Sequence, residues 1–150
     1  MRRRLIPVLL FAVLLCGCPR PWDTARTVVV EPAAEGVAEA DEAVVEAYEA
    51  SSCDETEDVA ELRQCIERLR DATTALQAAR AAVREAESLV DAWEQGGTEP
   101  TDWVGWLTTG GQALARLVEL LDAAGVPVPG MLRTAAEALD AYLESRGGAE

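Results

Sequence analysis

The 150-residue chain contains no histidine, no lysine and no asparagine, and only one phenylalanine. Without histidine it lacks the commonest general base and metal ligand near neutral pH. Without lysine every basic side chain is an arginine, which suggests a GC-rich genome more than a function. Aromatic residues make up 5 % of the chain, so a core must be built from alanine, valine and leucine with little ring mass. Positive charge is also scarce: 13 arginines face 27 carboxylates, a formal charge of −14. Nucleic acid and anionic lipid headgroups should repel such a chain, and neither is an expected partner. About half of the residues are nonetheless apolar, enough for one small domain.

What is present begins at the N-terminus. Met1-Arg2-Arg3-Arg4 is followed by an apolar run from Leu5 to Leu15 and then by Cys16-Gly17-Cys18. A basic start, a short apolar stretch and a small residue before the cut read as a secretory signal. The run of about eleven residues falls well short of the roughly 20 a spanning helix requires. Leu15-Cys16-Gly17-Cys18 resembles the lipobox of bacterial lipoproteins, with an aliphatic residue at −3, Gly at −1 and then the cysteine that is acylated. Cys16 is a poorer acceptor, since Leu15 would then occupy −1, and secretion with cleavage near Gly17 without lipid is the competing reading. The resemblance implies a signal peptide over 1–17, a lipidated Cys18 as the mature N-terminus and anchoring through acyl chains. Cleavage would remove three arginines and leave 133 residues with a charge of −17. Multiple acyl chains can hold a chain that its own charge cannot.

Cys53 and Cys65 are the pair that then remains, and in an oxidising compartment such a pair is most simply a disulfide. A metal site would have to be completed by carboxylates, poor companions for thiolates, so no metal and no cofactor is expected.

Residues 18–36 read as a lipidated cysteine and flexible tether. Pro19-Arg20-Pro21 argues against helix there, and 18 extended residues could reach roughly 60 Å. Trp22 suits either a headgroup-level position or packing on the domain. The helical domain is expected over 37–146, with 147–150 as a disordered tail.

The first helix is expected over about 33–50, with Val37, Ala40, Val44, Ala47 and Tyr48 on one stripe. Thr56 or Asp54 should cap the second helix. From Leu62 through Cys65, Leu69, Ala72, Leu76, Ala79, Val83, Ala86 and Val90 to Trp93, apolar residues recur at spacings of three and four. That 3.5-residue period predicts a spine helix over about 58–94, roughly 55 Å long. Gly96-Gly97 and Pro100 end it. A third helix should start near Thr101 or Asp102, with Gly110-Gly111 as a kink or a close contact, and a fourth should follow Pro129 with Leu132, Ala135, Leu139 and Leu143 inward. The expected fold is all-α, a small, mostly antiparallel four-helix bundle with one long spine helix.

No catalytic residue emerges. Paired carboxylates such as Glu46 with Glu49 lie on what reads as a solvated helix face, and Asp54–Asp58 lacks the ligand spacing of a calcium loop. Trp103 and Trp106 either plug the core beside Trp93 or form an exposed anchor for a protein partner. The expectation is therefore a non-enzymatic, lipid-anchored envelope protein with a protein partner, the outer membrane being favoured because Pro19 rather than Asp follows Cys18. By general build it resembles pilotins, which combine a lipobox, four helices and sometimes a disulfide, and less closely outer spanin subunits, which are shorter and richer in proline. The alternative is an exported helical protein that binds a small apolar ligand.

Overall fold

The computed structural model describes residues 20–50, 53 and 58–147. Among these residues the fold is all-α with no strand. Helix α1 covers residues 21–50 and is followed by α2 (Val59–Gly96), α3 (Asp102–Ala123) and α4 (Gly130–Gly147). Each helix packs on two others, α1 on α2 and α4, and α3 on the same two. The ion pairs between Arg26 and Asp91 and between Asp41 and Arg80 place α1 antiparallel to α2. Trp103 beside Trp93, and Trp106 bonded to Ala82, do the same for α3 on α2. The result is an antiparallel up-down-up-down bundle, as the apolar periodicity predicts.

The tether expected over 18–36 is corrected from residue 21 onward. Residues 21–36 are helical, and Ala25, Val29, Val30, Ala33 and Gly36 are buried. Pro21 occupies the first turn of α1, where its missing N–H and fixed φ cost nothing. Pro32 lies farther inside, where it would leave a backbone carbonyl unpaired and crowd it. A π-helical turn over Arg26–Val30 immediately precedes it, with the Glu31 N–H donating to the Arg26 carbonyl. The wider turn relieves the proline and advances the register, so that adjacent Val29 and Val30 are both buried. Trp22 is half-buried against the core and so packs on the domain.

The spine forms as the period predicts and is about 57 Å long. Its cap is Asp58, whose carboxylate accepts from the Ala60 N–H at 2.7 Å, in place of Thr56 or Asp54, which lie outside the described residues. Gly97 ends it at φ +67°, and Gly125 reverses the chain after α3 at φ +70°. Helix α3 runs unbroken through Gly110 and Gly111. The Trp106 ring lies against Gly110 and the Leu139 side chain against Gly111, both close enough to meet an added Cβ at 2.7 Å. Tyr48, expected on the inner stripe of α1, is instead exposed. Gly147 closes α4, and the expected tail beyond it lies outside the described residues.

Candidate functional site

Trp103 and Trp106 are both buried, which matches the core reading of the pair and leaves neither as an exposed anchor. Their rings stack at 5.3 Å, and Trp103 meets Trp93 at 6.1 Å, tilted by 58°. The Trp106 Nε1–H donates to the Ala82 carbonyl at 2.8 Å, while the buried Trp103 Nε1 finds no partner. The cluster joins the end of the spine to the start of α3. It acts in folding, with indoles supplying large apolar area at the junction.

The same end of the bundle carries the start of α1. Arg20 lies over the Trp22 ring at 5.7 Å. Arg26 bonds both Asp91 at 2.9 Å and Glu94 at 3.0 Å. The hydrogen bond to Asp91, supported by the two negative charges, raises the guanidinium above its ordinary value despite some desolvation. Cys18 lies outside the described residues.

The opposite end is built differently. Cys53 and Cys65 are joined as a disulfide, with Cα atoms 6.0 Å apart. Between Val59 and Arg68 no residue of α2 is fully buried, whereas from Leu69 onward buried residues recur along it. The reason is length: α2 exceeds α3 by about 24 Å and, by the register of its pairs with α1, also runs past Ala50, so its first turns project beyond the ends of both neighbours. Its open inner face forms a groove of about 670 Å³. Ala43, Ala47 and Ala50 line it from α1, Cys65 and Leu69 from α2, and Ala124, Gly125 and Pro127 form the floor. Glu46, Glu61, Gln64 and Arg68 supply its polar groups.

The groove was not legible as a site in the sequence. Of its α1 alanines only Ala47 falls on the inner stripe that the spacing predicts, and the sign that α3 and α4 stop short is the difference in helix lengths. Its chemistry suits binding: small apolar residues at the bottom and charges at the rim. Among the described residues no cluster of three or more His, Cys, Asp or Glu is placed to hold a metal ion, and no helix is long and apolar enough to cross a membrane.

Comparisons with family models, characterised proteins and solved structures give no match.

Proposed function

We propose that the protein is a non-enzymatic, lipid-anchored component of the bacterial envelope whose helical bundle serves as a protein-interaction module. The observation that carries this reading is Leu15-Cys16-Gly17-Cys18 behind a basic and apolar leader, a lipoprotein-type attachment site. The start of α1 at Pro21 supports a specific orientation. Only Pro19 and Arg20 separate Cys18 from the helix, so an acylated Cys18 would hold the Trp22 end of the bundle at the bilayer. Helix α1 then leads away from the membrane for about 45 Å, and the disulfide-linked hairpin becomes the outermost part. An interaction module gains from this arrangement, because its open face is kept clear of the lipid surface.

Pro19 in place of Asp after the acylated cysteine favours the outer membrane in a host that has one. A pilotin-like role fits the same build by analogy. The alternative, a carrier for a small apolar ligand, draws less support: the alanine and valine positions along the spine, including Ala72, Ala79, Ala86 and Val90, are packed shut. The groove itself is open and has carboxylates among its lining residues.

The deciding experiment is the intact mass of the protein from the membrane fraction of its host. A mass corresponding to Cys18 onward plus acyl chains is expected, with Cys18→Ser abolishing both the added mass and the membrane association. An unmodified mass in the soluble fraction would overturn the anchor and favour the exported carrier.

A further inference from the structure

We infer that the groove at the disulfide end is a docking site for a cationic amphipathic helix of a partner protein. The inference deepens the interaction-module reading and rests on it.

The first ground is register. Gly36 on α1 faces α4, and an added Cβ there would stand 2.6 Å from the Leu132 Cα. The same side of α1 continues through Ala43, Ala47 and Ala50, at spacings of seven, four and three. Helix α4 begins at Gly130, so it covers Gly36 and leaves the three alanines to line the groove. The receiving surface is therefore the continuation of one that already accepts a helix in this protein, and its small residues permit a close axial approach. The α2 stretch from Val59 to Leu69, which runs on past the end of α1 at Ala50, adds about three helical turns of open face.

Charge supplies the second ground. Between Arg26 and Arg63 the chain carries 12 carboxylates and no basic residue. This interval includes the α1 wall of the groove, where Glu46 stands exposed among the lining residues, and Glu61 lines the outer part of the groove on α2. Arg68 is the one basic residue among the described residues of the lining. A partner with apolar side chains on one face and Lys or Arg on its flanks matches both the floor and the rim. Charge repulsion argues against a second copy of this acidic chain. The Cys53–Cys65 bond ties the segment just past α1 to α2 beside the groove, which limits how far the two can shift when a partner arrives.

The test uses the chain as isolated from its host, whichever fraction it occupies, in one neutral detergent. Lipidation and groove binding are thereby read separately. The probe is a fluorescein-labelled 14-residue Leu/Lys amphipathic peptide, with a Leu/Glu peptide of the same pattern as control, followed by fluorescence anisotropy. The expected result is saturable binding of the Leu/Lys peptide only. Ala47→Trp, which fills the groove, should weaken it at least tenfold, and Glu46→Lys about fivefold. Glu39→Lys makes the same charge change one heptad earlier on the same face of α1, about 10 Å from Glu46 and outside the groove lining, and should weaken it less than twofold. Ala50→Trp, at the exposed end of α1, repeats the blocking test without burdening the core should Ala47→Trp fail to fold. No binding of the Leu/Lys peptide would overturn the proposal. So would equal losses for Glu46→Lys and Glu39→Lys with the tryptophan variants unchanged, which would mean general attraction to an acidic surface. A dimer that dissociates in the tryptophan variants would assign the groove to self-association instead and likewise overturn it.

Discussion

Gly36 of α1 packs directly on the backbone of Leu132 in α4, so that a Cβ at position 36 would lie 2.6 Å from the Leu132 Cα and 2.7 Å from its nitrogen. Backbone cannot step aside as a flexible side chain can. Gly36→Ala should therefore lower stability by about 1–3 kcal/mol through overpacking, even after the helix-propensity gain of up to ~1 kcal/mol. Gly105, helical and facing open space, supplies the contrast. Gly105→Ala should stabilise by about 0.5–1 kcal/mol. Urea titrations of the two variants, read against the parent, test the pair; equal shifts would contradict the close approach.

The N-terminal part of α1 belongs to the core. Val29 is 1 % exposed, whereas Val28 beside it is 40 % exposed. Val29→Ala should cost about 2 kcal/mol and Val28→Ala close to nothing. A tether would respond to neither. Arg26→Ala should cost under ~1 kcal/mol, because both of its carboxylate partners are half in solvent, at 55 % and 51 %.

The disulfide closes a loop with a sequence separation of 12. On the chain-entropy model its loss should remove about 3 kcal/mol, or roughly 10 °C of Tm for a chain of this size. Scanning calorimetry with and without reductant measures this directly, and the double variant Cys53→Ser/Cys65→Ser should match the reduced protein. Identical melting in both conditions would show that the bond does not form in solution.

Burial of Trp93, Trp103 and Trp106 predicts blue-shifted emission that iodide quenches poorly. Trp103→Ala should destabilise by about 3–5 kcal/mol. Trp106→Phe, which gives up the bond to Ala82, should cost less. Strong quenching in the native protein would restore the exposed-anchor reading of Trp103 and Trp106.

The sequence by itself determined the all-α class, the spine and the two glycine-marked ends of helices. Each depends on residues close together in the chain. A 3.5-residue period from Leu62 to Trp93 permits one helical face and no other, and Gly97 and Gly125 are where the chain can turn with positive φ. The proximity of Cys53 and Cys65 was legible for the same reason, since a helix end, a short loop and a helix start leave them little freedom. Tertiary structure alone decided three matters. Pro32 argues locally against helix, yet burial of Ala25, Val29 and Val30 against α2 and α4 outweighs the local cost, with a π turn absorbing the proline. Trp103 and Trp106 could serve a core or an interface on sequence grounds, because apolar area favours both, and only the position of Trp93 across the helix junction settles it. The groove exists because α2 runs on past the ends of its neighbours, and which face of that overhang stays open depends on how the helices pack, not on their lengths.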